Sequence, residues 1–160
     1  MAKDTTPEKK VALTLKNYHL TYLFDTNPSA TQGNWLNTPL HNKQARARNR
    51  FLKIISERNQ ELEDNRMELL KQYCKKDKEG EPVMKKTDNG LQEYDFVEED
   101  YEKFQKEYGE MQIEDFVIDI LPSNKEDIMI VRDILDDLKK PLELRESFVY
   151  EEVMTAFEKI

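Results

Sequence analysis

A chain of 160 residues has room for one domain, or one domain with an appended arm, and 38% hydrophobic against 36% charged residues leaves material for a thin core only. Four glycines and six prolines are too few for the turns of a barrel or sandwich, one cysteine excludes an internal disulfide or multi-cysteine metal site, and a net charge of −8 disfavours nucleic acid or anionic membrane as a partner of the whole surface. No apolar run reaches the roughly 18 residues of a membrane span, and the polar start Met1-Ala2-Lys3-Asp4 does not open a secretory signal, so a soluble chain is expected.

Residues 1–10 are charged and polar and read as a flexible tail, with a single domain over 11–160. Val11, Leu13 and Leu15 alternate with Ala12, Thr14 and Lys16, the period of a short strand. Asn17 has the side chain of a helix N-cap, and Leu20, Leu23 and Phe24 supply a short helix with its apolar stripe. Between 25 and 44 the pattern breaks into loop chemistry: Asn27-Pro28-Ser29, Gly33-Asn34, Thr38-Pro39 and His41-Asn42. Trp35 lies in that loop, and two readings stay open for it: a pin that holds the loop to the core, or an exposed anchor for a partner.

Residues 43–76 hold no glycine or proline and predict one helix of about 30 residues, about 45 Å long. Its apolar positions Phe51, Ile55, Leu62, Leu69 and Tyr73 recur at steps of 4, 7, 7 and 4, a narrow seam. Lys75 to Gly80 ends it with charge and a glycine. Two extended runs follow, Pro82 to Thr87 and Leu91 to Phe96, joined by Asp88-Asn89-Gly90, and Asn-Gly signals a type I′ hairpin. A second helix is expected from Glu98 to Met111, where Val97, Tyr101, Phe104, Tyr108 and Met111 recur at 4, 3, 4 and 3. The two seams should pack on each other, making 43–111 a helix–hairpin–helix arm. Phe116, Ile118 and Ile120 read as a strand for 11–15 to pair with. Ser123 and Glu126 form a capping-box pattern before a helix at 124–139, striped by Ile128, Val131, Ile134, Leu135 and Leu138. A last helix at 144–158 carries Leu144, Phe148, Val149, Val153 and Phe157. The class is therefore α+β, mainly α: a long and a shorter helix paired antiparallel through a β-hairpin, a small two-stranded sheet, and two C-terminal helices.

No catalytic constellation, metal site or cofactor motif emerges, and no enzyme is expected. His19 and His41 have no ligand-spaced partner, four scattered glycines build no phosphate loop, and no Gly-x-Ser-x-Gly turn is present. Cys74 sits beside Lys75 and Lys76, whose charges would lower its pKa, but an ordinary thiol near a helix end is the simpler reading. The acidic runs Glu98-Glu99-Asp100, Asp136-Asp137 and Glu151-Glu152 read as solvated helix faces. Against this acidic background, Lys43, Arg46, Arg48, Arg50, Lys53 and Arg58 crowd the start of the long helix, where cations oppose the helix dipole. Pairing with carboxylates compensates them in one reading, phosphate or nucleic-acid contact through Arg46, Arg48 and Arg50 in the other. The hairpin residues Lys85, Lys86, Asn89 and Gly90 form a candidate pairing edge, and Tyr101, Phe104 and Tyr108 a candidate aromatic contact.

The order Leu13-Thr14-Leu15-Lys16-Asn17, then Arg46-Ala47-Arg48-Asn49-Arg50-Phe51, then Lys76-Asp77-Lys78-Glu79-Gly80-Glu81-Pro82, hairpin, helix and a Phe116-Val117-Ile118 strand resembles a family of small proteins of unknown function from tailed phages and prophages of Gram-positive bacteria. The resemblance spans most of residues 11–158, with a longer loop at 25–42. It implies a minor virion or tail component or an assembly factor, in the bacterial host cytoplasm or carried into the virion, and transfers no catalytic residue. The expectation is an interaction protein whose partner is another protein: a second copy, a phage protein or a host protein. An alternative is a regulator or anti-defence protein that inhibits a host protein by presenting carboxylates where nucleic acid is expected. Nucleic-acid binding through the Arg-rich helix start is a third reading, and no membrane partner is expected.

Overall fold

Two short antiparallel strands that lie about a hundred residues apart in the chain pair with each other. In the computed structural model, which describes residues 11–27 and 31–160, β1 (Ala12–Lys16) pairs with β4 (Asp115–Asp119), Leu13 opposite Ile118 and Leu15 opposite Phe116. The tail 1–10 and residues 28–30 of the long loop lie outside the described residues. Between these strands run α1 (His19–Leu23), α2 (Asn42–Tyr73), β2 (Met84–Lys86), β3 (Gln92–Tyr94) and α3 (Glu98–Ile113); after β4 come α4 (Lys125–Asp136) and α5 (Leu144–Glu158). The class is α+β and mainly α, and the strand pairing is the one that the alternating patterns predict.

The chain divides into two compact units, one of residues up to Ile54 together with Asp115–Ile160, the other Ile55–Glu114. In the first, the alternation of β1 puts Leu13 and Leu15 into a core completed by Leu20, Leu23, Phe51, Ile128, Val131, Leu135, Val153 and Phe157. Phe51 and Phe157 meet with ring centroids 6.2 Å apart. The second unit holds most of α2, the hairpin β2–β3 and α3. Its buried apolar side chains are Ile55, Leu62, Leu70, Cys74 and Met111. Tyr73 on α2 hydrogen-bonds Glu107 on α3.

Several local expectations give way. The buried line of α2 passes through Leu70 and Cys74, leaving Leu69 and Tyr73 half-buried, because 3.6 residues per turn drifts off a 7-residue spacing over four turns. On α3 the aromatic seam is not a core: Met111 is buried, Tyr101 is 43% and Val97 52% exposed. The hairpin turn is not type I′, since Gly90 alone has positive φ, +76°; Thr87 and Leu91 bracket a three-residue loop with the glycine left-handed. Asn17 precedes the N-cap of α1, which is Tyr18 without a side-chain cap. The Ser123–Glu126 box does not form: Asn124 is the N-cap of α4, and its side chain turns back, accepting from Leu121 N–H at 2.8 Å and donating to the Asp119 carbonyl at 2.9 Å. Finally, α5 exposes Leu144 (74%) and Phe148 (63%) and buries Glu146 (1%).

Candidate interaction surface

The arginine-rich start of α2 is occupied from within the first unit. Arg50 forms a bidentate pair with Asp127, both bonds 2.6 Å, and Lys43 pairs with Glu126 at 2.6 Å. Both carboxylates belong to the first turn of α4, so they complement that helix's dipole and offset the cations that oppose the dipole of α2. The Arg50 guanidinium holds the Asp127 carboxyl below its ordinary pKa. Arg48 donates to the carbonyls of Leu36 (3.2 Å) and Thr38 (2.5 Å) and so fastens the end of the long loop. Arg46 is exposed. The three arginines are thus not gathered into one phosphate-binding face.

Trp35 is 1% exposed, so of its two readings the pin describes its position and the exposed anchor does not. Its indole N–H donates to Glu146 Oε1 at 2.8 Å, and Gly33 N–H donates to the same oxygen at 2.7 Å. Lys140 reaches the Gly33 carbonyl at 2.8 Å and Glu146 at 3.5 Å. Burial pushes the Glu146 carboxyl up, but the two N–H donors and Lys140 together outweigh it and hold the pKa below the ordinary value. Gly33 has φ +70°, and a Cβ there would lie 2.8 Å from Tyr22 Cα, so only glycine fits.

A second polar cluster, centred on buried His19, joins β1, α1 and α5. His19 Nδ1 accepts from Lys16 N–H at 3.0 Å, and its Nε2 lies 2.9 Å from Glu152, which also accepts from the Tyr18 hydroxyl. With Nδ1 an acceptor, the proton sits on Nε2. Burial lowers the His19 pKa against the raising effect of Glu152, so the ring is neutral at pH 7. Both nitrogens are engaged, and the arrangement does structural work. Cys74, read as an ordinary thiol near a helix end, is buried, and burial raises its pKa against the lowering charge of Lys76. Among the described residues no three histidine, cysteine or carboxylate groups gather to hold a metal, and no helix is long and apolar enough to cross a membrane.

The second unit presents open apolar surface. Phe96 packs on Tyr101 (centroids 5.3 Å) and on Phe104 (5.4 Å), and Phe104 stacks on Tyr108 (5.8 Å, interplanar 10°). This ladder of four rings is half-buried to exposed along its length. Tyr94, Phe96, Tyr101 and Leu70 line a recess of about 440 Å³ together with the charged side chains Glu93, Glu98 and Lys85. Hairpin residues Lys85, Lys86, Asn89 and Gly90 are all exposed, as is Leu91 at 68%. Lys85 lies opposite Glu93 in the register and 3.5 Å from its carboxylate. The charge is unevenly divided: Ile55–Glu114 holds 18 acidic and 10 basic residues, the rest of the chain 15 of each, so the whole net −8 belongs to this unit. No family model, curated protein or solved structure matches this chain.

Proposed function

We propose that this chain is a non-enzymatic interaction protein that binds another protein through residues 55–114. One observation carries the reading: a unit that closes only five apolar side chains displays a ladder of Phe96, Tyr101, Phe104 and Tyr108 on its surface. Fully burying one such ring is worth about 1.5–3 kcal/mol, so covering four half-exposed rings supplies a useful fraction of a binding free energy. The exposed hairpin extends the same surface with backbone edges. The resemblance to small tailed-phage proteins supports a setting as a minor virion component or assembly factor. The concentration of negative charge in this unit favours, as a second reading, a regulator that inhibits a host protein. Both share a protein partner. The arginine patch, paired as described, supports the nucleic-acid reading least.

A photo-crosslinking amino acid in place of Tyr101, compared with the same group in place of Phe148, tests the proposal in the cells that carry the gene. One protein should attach at 101 and not at 148, and should rebind, once purified, with an affinity that Phe104→Ala lowers. Equal labelling at both positions, or no rebinding, refutes the assignment.

A further inference from the structure

We infer that the recess beside the ladder receives a cationic side chain, so that the partner segment is basic, bearing arginine or lysine, and is not a second copy of this chain. This rests on the interaction reading above and names the class of partner. The chemistry of the walls is the first ground. The faces of aromatic rings such as Tyr94, Phe96 and Tyr101 are electron-rich and attract a cation within about 6 Å, and Glu93 and Glu98 line the same recess and can pair with it. Leu70 adds apolar lining for the methylenes of a long basic side chain.

The second ground is the cation already there. Lys85 lines the same recess, its ammonium 3.5 Å from Glu93 and 3.9 Å from Asp95, half-exposed, at distances too long for tight pairing. It pairs with Glu93, the carboxylate a partner's cation would use, and loosely enough to be displaced from it. The third ground is net charge. The same unit of a second copy would bring −8 against −8, whereas a basic segment meets the field with opposite sign.

A fluorescein-labelled nonapeptide of alternating arginine and alanine, and its glutamate counterpart, titrated into the full chain and read by anisotropy, test this. The arginine peptide should bind saturably and the glutamate peptide should not. Tyr101→Ala leaves the charge unchanged and should weaken binding about tenfold. Glu93→Gln with Glu98→Gln should weaken it further, Lys85→Ala should strengthen it, and Phe148→Ala, on the other unit, should leave it as it was. Equal binding by wild type and Tyr101→Ala overturns the inference, because the peptide is then held by bulk charge alone. Weaker binding by Lys85→Ala overturns it too, as does a dimer in sedimentation that Tyr101→Ala dissociates. Should Tyr101→Ala lose its circular dichroism, Tyr101→Leu, which keeps the charge and much of the volume but removes the ring face, decides in its place. A partner crosslinked through position 101 that proves acidic or uncharged at its contact overturns this inference and leaves the interaction function standing; no rebinding partner at position 101 overturns the function itself.

Discussion

Glu146 and His19 show how single buried polar residues fasten distant segments. Glu146 satisfies two N–H donors of the loop, from Gly33 and Trp35, at 1% exposure. Glu146→Ala removes that acceptor and should cost about 2–3 kcal/mol in urea unfolding, with Trp35 fluorescence shifting to the red as the loop loosens; Glu146→Gln keeps an acceptor and should cost less. His19 has its pKa lowered from 6.5, so the unfolded chain binds the proton more readily. Its contribution is therefore complete above about pH 6.5 and is lost as pH falls toward the lower folded value, where a protonated Nδ1 would face the Lys16 N–H. His19→Gln, which cannot take up that proton, should flatten this acid limb when the unfolding midpoint is followed against pH. Tyr18 has the opposite sign: burial and Glu152 raise its hydroxyl from 10.0 to about 12, so its contribution persists below pH 10 and fades toward 12. None of these pairings was visible in the pattern of residues, because Glu152 lies 133 positions from His19 and Glu146 lies 111 from Trp35.

At the scale of elements, α5 separates periodicity from burial. Val149, Val153 and Phe157 are core as expected, but the helix is turned so that Glu146 continues their line toward the N-terminus and Leu144 and Phe148 face outward. The signal was present: positions 146, 149, 153 and 157 follow steps of 3, 4 and 4, with one carboxylate in an apolar stripe. Phe157→Ala should then cost about 3–5 kcal/mol, and Phe148→Ala should stay within about 0.5 kcal/mol, in the same denaturation assay. Turns give a similar contrast. Gly90 has φ +76° with nothing within 4 Å of a Cβ, so Gly90→Ala should cost about 1 kcal/mol, whereas Gly33→Ala adds a clash with backbone to a left-handed φ and should cost more. Asn89-Gly90 correctly marked a hairpin, but the dipeptide does not choose between a two-residue turn and a three-residue loop. The pairing of Thr87 with Leu91 makes that choice.

For the whole molecule, stability should follow the two units. Ile55–Glu114 has a thin core and the entire net charge, and the other unit has the larger core and none. Backbone amides of β2, β3 and α3 should exchange with deuterium sooner than those of β1, β4 and α5. Added salt should slow exchange in the acidic unit more than in the other, because screening relieves its self-repulsion. Uniform exchange across both units, unaffected by salt, would contradict this division.

The order of residues was enough to establish the mainly α class, the two alternating segments that become β1 and β4, the long helix without glycine or proline and the hairpin, since each depends on local periodicity or turn chemistry. Tertiary structure alone decided that the arginines of α2 meet the first turn of α4, that Trp35 is buried against a carboxylate, and that the aromatic seam of α3 stays open. Those outcomes depend on which surfaces meet across a hundred residues, and periodicity says which face of a helix is apolar without saying whether anything covers it.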